Sequence, residues 1–341
     1  TQDAIYSYLY YRLVQRSSNV FMIYNTEDSY TRPSEPRRYI YQLKLESGYK
    51  VQQFSMALEI SDSDAKAIVI KKDYFIFARL ARFYQDKKYK FSPSSLNVYL
   101  SCPLSFYYRN VLDIREEEEV SEDLDAAKFG NILHHTMEDL YKPFLGMILN
   151  ADSIKNIKKG VVNSIKRSSA RYYGQEYSAD FNLEGKNILG LEIIKNYVLK
   201  ILEKDKLACP FEIVGLEQKY SYDLPINLSG KQVKVGLKGI IDRIDLRNGV
   251  IRIIDYKTGK DESSFKDIPG LFNASDDNRN KAIFQTFLYA YLFLKNNPEY
   301  ADGPIISGLY NLKELYNPSF DLRIKLKANR GSTCIAVSYT H

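Results

Sequence analysis

The chain has 341 residues, enough for two compact domains or one large domain with an appendage. Its 45% hydrophobic and 26% charged content is ordinary for a soluble globular protein, and no apolar run approaches the roughly 18–20 residues that a membrane span needs. A formal charge of +6 is compatible with a polyanionic partner without establishing one, and with no signal peptide at its start the chain is expected in the cytoplasm. It opens at Thr1 rather than Met, as a fragment or a processed chain would. Cys102, Cys209 and Cys334 lie far apart with no CxxC pair, so they read as buried reduced thiols rather than a zinc knuckle or a disulfide framework.

Residues 1–90 read as alternating helix and strand. Residues 4–16 form a Tyr-rich helix candidate, and Val20-Phe21-Met22-Ile23-Tyr24 is a short apolar run of the kind found in buried strands. Pro33 and Pro36 precede a helix expected over 38–45, and Ala67-Ile68-Val69-Ile70 suggests another strand. The character changes at Phe91-Ser92-Pro93-Ser94-Ser95, where Ser92 or Ser94 is placed to cap a helix through Leu96, Tyr99 and Leu100. The boundary is set there, giving an N-terminal α/β appendage (1–90) and a main domain (91–341).

The acidic run from Glu116 to Glu119, continued by Glu122, Asp123 and Asp125, reads as a solvated loop or helix face. A long helix is expected over 126–144, with Phe129, Ile132, Leu133, Met137, Leu140 and Phe144 at helical spacing. A second, over 153–173, carries Lys155, Lys158, Lys159, Lys166 and Arg167, which suit either a phosphate backbone or a plain solvated face. After another helix at 189–204 the period switches to two, predicting strands at 211–220, 231–246 and 250–257 before a helix at 280–295. Residues 317–341 alternate like strands and carry no functional signal.

The most informative stretch is a hairpin. Asn248-Gly249 stands between two β-branched runs, and a type I′ turn needs positive φ at both of its central residues. Counting outward from that turn pairs Arg247 with Val250, Asp245 with Arg252 and Ile244 with Ile253. Asp242 then falls opposite Asp255. Directly opposed carboxylates have Cβ atoms roughly 4.5–5.5 Å apart and repel. A bound divalent cation resolves that repulsion, and hard oxygen ligands suit magnesium. Period two places Lys257 on the face of Asp255, where an ammonium polarises a water or stabilises developing charge on a phosphorane-like transition state. The bland alternative is two solvated acids or a slipped register.

These residues resemble the RecB-type branch of the PD-(D/E)XK nucleases through four ordered motifs. Gly130 to His134 is similar to that family's G-x-x-x-H helix element, Gly239 to Asp245 to its G-x-x-D-R-x-D strand, Asp255 to Gly259 to its D-Y-K-T/S-G strand, and Gln285 to Tyr289 to its Q-x-x-x-Y helix. The resemblance implies a restriction-endonuclease-like α/β core, a mixed central sheet flanked by helices. It implies Mg²⁺, with Mn²⁺ as a substitute, held by His134, Asp242, Asp255 and the Tyr256 backbone carbonyl, and it implies Lys257 acting on the attacking water. Glu138, one turn beyond His134, is a plausible accessory group, and Gln285 and Tyr289 would steady the site or contact the strand.

The segment from Ser92 to Tyr108 is similar to the opening of nuclease domains in AddB-type helicase–nuclease subunits, and residues 1–90 faintly resemble the end of a helicase-like region. In that group a cysteine at the place of Cys102 joins three later ones around an iron–sulfur cluster. No CxxC triad follows Tyr289 here, so no cluster is expected. The implied activity is DNA hydrolysis, as an exonuclease module of a recombination or repair helicase–nuclease. Its partners would be DNA and a helicase subunit or the rest of a larger polypeptide. The alternative is a catalytically inactive DNA-binding or scaffold subunit of the same fold. A nucleotide-driven motor is disfavoured, since no G-x-x-x-x-G-K-[ST] loop occurs.

Overall fold

The computed structural model describes residues 2–23, 38–54, 68–114, 124–173, 186–259, 261–276, 279–327 and 332–334. Two units divide the chain, Thr1–Ile70 and Lys71–His341. In the first, α1 (Gln2–Gln15) and α2 (Arg38–Glu46) bear a tyrosine cluster in which the rings of Tyr10 and Tyr39 stack 5.0 Å apart. Neither strand expected in this region forms. Residues 20–23 and 68–70 carry no regular structure, and Tyr24 and Ala67 lie outside the described residues. A continuous apolar run becomes a strand only between two covered faces, whereas Phe21, Ile23, Ile68 and Val69 are exposed. Pro33, Pro36 and the acidic run from Glu116 to Asp123 also fall outside the described residues.

The second unit begins with α3 (Tyr74–Gln85), a helix that the sequence grouped with the N-terminal segment. It contacts the strand Lys231–Arg247, and its Phe83 stacks on Phe91 at 4.3 Å. Ser92 and Ser95 form a reciprocal capping box that starts α4 (Pro93–Ser101). Cys102 then ends α4 and caps the short α5 (Pro103–Phe106), which runs on as a π-helical turn through Val111. At that junction its thiol is free and exposed, not buried as expected, and the free thiol of Cys209 is partly buried.

Asp125 leaves the acidic segment to cap α6 (Ala126–Tyr141), accepting the Lys128 N–H at 2.8 Å. A 3-10 turn (Lys142–Phe144) and a two-residue strand, β1 (Ile148–Leu149), follow. The single helix expected over 153–173 is two, α7 (Ala151–Lys159) and α8 (Val161–Tyr172), parted at Gly160. Next comes α9 (Lys186–Ala208).

The long strands β2 (Phe211–Leu228), β3 (Lys231–Arg247) and β4 (Val250–Lys257) form consecutive antiparallel pairs. After β5 (Ser264–Phe265) and α10 (Lys281–Asn296), β6 (Ile305–Asn311) returns parallel to β4, giving a mixed sheet in the order β1-β2-β3-β4-β6. The strand-like tail supplies β7 (Lys325–Lys327) and β8 (Ser332–Cys334) to a small sheet with β5. Alternation along β4 sends Ile251 and Ile253 into the core with α10, and Ile254 and Tyr256 into the core with α6 to α9. The sheet is thus covered on both faces, as expected for the α/β core.

Candidate active site

The site begins where the sheet splits. Asn248 and Gly249 both take positive φ, 51° and 76°, so the predicted turn forms and fixes the predicted register. The β3–β4 ladder runs outward as far as Arg243 opposite Ile254. Beyond that row β3 stays with β2, through Gln218 opposite Ile241, while β4 stays with β6, through Asp255 opposite Leu309 and Tyr256 opposite Tyr310. Parting strands leave backbone groups that must find other partners. The Tyr256 N–H donates to Asp242 Oδ2 at 3.0 Å, and the Tyr256 carbonyl accepts from His134 Nε2 at 3.1 Å.

The last row shared by three strands is Leu216, Arg243 and Ile254. One step further stand Glu217, Asp242 and Asp255, an acid from each strand at the mouth of the fork. Glu217, which sequence reasoning missed, adopts a left-handed φ of 44°, a strained backbone of the kind that gathers at functional sites. One of its carboxylate oxygens, one from Asp242 and a ring nitrogen of His134 lie within 4.8 Å of one another. The hairpin of β2 and β3, closed at Ser229-Gly230, would have revealed it, because the count outward from that turn places Glu217 opposite Asp242.

His134 comes from α6 and links the acids. A carbonyl only accepts, so Nε2 carries the proton that points at Tyr256. Nδ1 lies 3.3 Å from Asp242 Oδ2 and 3.8 Å from Glu217 Oε1. Burial lowers the His134 pKa, but Asp242, Glu217 and Asp255 outweigh it and hold the ring well above the usual histidine range. Burial likewise raises Asp242, and His134 and Lys257 overcome it to hold that carboxyl below its ordinary value. An imidazolium thus supplies positive charge among the acids.

Asp255 is nearly inaccessible, and burial together with the Asp242 charge pushes it up to about 6 against the pull of Lys257. Its Oδ1 accepts from Lys257 Nζ at 3.2 Å and from Gln285 Nε2 at 3.1 Å. Its Oδ2 lies 2.8 Å from the same ammonium but receives no well-directed hydrogen bond. Hard carboxylate oxygens and one imidazole, with ligand atoms of His134, Glu217 and Asp242 within 4.8 Å of one another, fit a divalent cation.

A stability prediction follows. The folded pKa of Asp255 exceeds its unfolded value, so the folded state binds more protons and stability falls as pH rises from about 4 to about 6. Asp255→Asn should therefore stabilise the metal-free protein above pH 6 by on the order of 2 kcal/mol, with the gain vanishing near pH 4. Thermal melts in chelator across that range check it, and an equal effect at both ends would refute it.

From α10, Gln285 Oε1 accepts from Lys257 Nζ at 3.4 Å while its Nε2 also donates to Tyr289 at 2.8 Å. Gln285 therefore holds the carboxylate and the ammonium together, with buried Tyr289 behind it. Gly239 permits this approach of helix to strand, since a Cβ there would meet the Tyr289 ring at 2.8 Å. Glu138 does not join the site; its partners are His135 at 3.7 Å and Lys142 at 4.0 Å. The basic side chains of α7 and α8 are largely matched within the protein: Lys155 with Asp152, Lys158 with Glu203, Arg167 with Asp139, and Lys159 bonded to Asn156. Lys166 sits on the same helix, α8.

Behind the fork lies a buried ionic network. The Arg243 guanidinium grips both oxygens of Asp205 at 2.7 and 3.0 Å and also binds Asp245, which in turn accepts from Arg252 at 2.6 and 2.9 Å. The hydroxyls of Tyr141 and Tyr310 complete Asp205, and Arg243 lies between the rings of Tyr141 and Phe211. The pairing of Asp245 with Arg252 was expected; Asp205 was not. It follows Ile194, Val198, Ile201 and Leu202 on the buried stripe of α9, where a carboxylate demands a partner.

In front of the fork opens a cleft of about 430 Å³, walled by Asn131, His134, Glu217, Lys257 and Thr258. At Gly130 a Cβ would meet only Thr258 Oγ1, at 3.8 Å, so nothing crowds that part of the wall.

The sequence profile of the PD-(D/E)XK nuclease superfamily matches residues 90–329. An ATP-dependent helicase/deoxyribonuclease subunit of Thermoanaerobacter sp. (strain X514) is 28% identical over 213 residues, covering 56% of this chain and 17% of the relative. The protein of the same name from Carboxydothermus hydrogenoformans is 26% identical over 242 residues, 67% of this chain and 21% of the relative. That from Streptococcus suis (strain 05ZYH33) is 27% identical over 238 residues, 68% and 19%. The chain spans about a fifth of the length of these curated relatives. Among the described residues no helix is long and apolar enough to cross a membrane.

Proposed function

Because the chain belongs to the PD-(D/E)XK nuclease superfamily, we propose that the strand fork is a Mg²⁺-dependent site that hydrolyses DNA phosphodiester bonds. The nuclease would be one module of a helicase–nuclease. The observation that carries this reading is the row of Glu217, Asp242 and Asp255 across three strands, flanked by His134 and Lys257. Asp242, Asp255, His134 and the Tyr256 carbonyl would hold the ion, with Glu217 beside them. When bound, such an ion polarises a phosphoryl oxygen and lowers the pKa of water.

The chain's own groups do the remainder. Lys257, charged and braced by Asp255 and Gln285, orients the attacking water and meets charge that develops on the phosphate. Tyr256 positions Asp242 through its backbone N–H, and without an ion its carbonyl holds the His134 ring, a contact that must be released for that carbonyl to join the ion. The imidazolium proton of His134 must leave for the ring to act as a ligand, so ion uptake should release a proton.

The test is cleavage of labelled DNA with Mg²⁺ or Mn²⁺, abolished by chelator, alongside thermal melts. At a metal concentration of 100 Kd the ion should add about 2.7 kcal/mol of stability. A chain that binds DNA but neither cuts it nor gains stability with either metal would overturn the reading.

A further inference from the structure

Beyond the fork the β2–β3 hairpin runs on without β4, and one of its faces is open. Tyr220 and Gly239 are paired across the ladder and both turn to α10, where the Tyr220 ring lies 5.8 Å from Phe293 and Gly239 faces Tyr289. The neighbouring pairs, Lys219 with Ile240 and Ser221 with Lys238, therefore turn to the opposite face, and all four residues are exposed. Lys219 and Ile240 stand two residues, about 7 Å along the strands, beyond Glu217 and Asp242, so the open face starts at the acid row of the site.

Lysines gather on that face. Lys234 lies further along it, opposite Pro225, and Asp223 lies opposite Gly236. There Lys90 crosses from the neighbouring segment: a Cβ on Gly236 would meet its Cγ at 2.7 Å, and its Nζ lies 3.9 Å from Asp223. Phe91 pins that crossing on the edge that β4 has left, donating its N–H to the Gly236 carbonyl and accepting from the Lys238 N–H, each at 2.8 Å. Asp223 is the one acid that the hairpin places on this face, and Lys90 matches it. Among the described residues no carboxylate pairs with Lys219, Lys234 or Lys238, in contrast to Lys155 and Lys158 of α7.

A row of unmatched ammoniums on an exposed sheet face suits a polyanion with regularly spaced charge, and this row begins at the acids of the fork. We propose that the open face of the β2–β3 hairpin is a second nucleic-acid contact, an electrostatic ramp outside the cleft. On it Lys219 and Lys238 hold backbone phosphates, with Lys90 and Lys234 further out. Such contacts neutralise phosphates and release their counterions, so they add affinity and fix the register of the polymer without reading its bases. The inference rests on the nuclease reading for the kind of polymer and goes beyond it in assigning a binding surface apart from the site.

The experiment is fluorescence anisotropy of labelled oligothymidylate with the full chain in chelator, over a range of salt concentrations. Lys219→Gln and Lys238→Gln should each reduce the steepness of log affinity against log salt by about 0.7, the value for one phosphate contact on such a probe. Lys155→Gln and Lys159→Gln on α7 should leave it unchanged. Asp223→Asn, which frees Lys90, should tighten binding by up to about 5-fold, the scale of one exposed charge pair. A variant that merely unfolds cannot produce that gain. An unchanged slope in Lys219→Gln and Lys238→Gln, an equal change in the α7 variants, or an Asp223→Asn chain that binds no tighter would overturn the ramp. Cleavage with Mg²⁺ is scored separately. A chain that binds through Lys219 and Lys238 yet cuts nothing keeps the ramp and loses the nuclease. One that cuts while its slope ignores both lysines keeps the nuclease and loses the ramp.

Discussion

Lys257→Ala should slow metal-dependent DNA cleavage by about 10²–10³-fold, the usual cost of removing one preorganised electrostatic group from a transition state. Burial lowers the Lys257 pKa, but Asp255 and Asp242 overcome that and hold it above the ordinary lysine value. The group is therefore an ammonium at neutral pH and has no lone pair with which to take a proton from water. In the proposed site its contribution would be charge and orientation, fixed by contacts of 2.8 Å to Asp255 and 3.4 Å to Gln285. Lys257→Arg keeps the charge but replaces a compact ammonium with a planar fork, so it should recover only part of the rate. Single-turnover cleavage measures the loss, and the metal-induced shift in Tm, measured on the same variant, should persist. An unchanged rate would sink the assignment. A shift lost together with the rate would instead make Lys257 a support for the metal site.

What the sequence disclosed about this site follows how local each signal was. The Asn248-Gly249 turn fixes the register of β3 on β4 within a few residues, so the pairing was readable by counting as far as Arg243 opposite Ile254, and the expected direct pairing of Asp242 with Asp255 does not form. Counting did not show that the ladder stops one row earlier and opens as a fork, because that depends on β4 following β6, about fifty residues further along the chain. His134 entered only through the resemblance: a histidine on an apolar helix does not announce a carbonyl 122 residues away. Glu217 was within reach of the same counting from the neighbouring turn. The two failed strands at 20–23 and 68–70 share one cause, since a short apolar run records hydrophobicity but not whether anything covers it.

The largest stability loss is expected from a residue outside every motif. Asp205→Ala should cost about 3–5 kcal/mol at pH 7, the range for leaving a buried charge without its partner. Arg243 would keep Asp245, but Asp245 is already shared with Arg252, and the Tyr141 and Tyr310 hydroxyls would lose their acceptor. Although burial raises the Asp205 pKa, Arg243 and the tyrosine hydrogen bonds hold it below the ordinary carboxylate value. A depressed carboxylate stabilises the fold above its unfolded pKa, near 4, and loses that contribution as pH falls through the folded pKa. The gap between wild type and variant should therefore be widest at neutral pH and shrink on acidification. Urea denaturation between pH 7 and pH 3 measures it; a loss below about 1 kcal/mol at pH 7, where buried pairs give several, or a gap independent of pH, would refute the argument. The damage should also reach the cleft. Arg243 Nη1 donates to the Tyr256 hydroxyl at 3.3 Å, and the Tyr256 backbone holds both His134 and Asp242. Metal affinity should fall in Asp205→Ala at temperatures where the variant is still folded, because the network fixes the strand on which the ligands are strung.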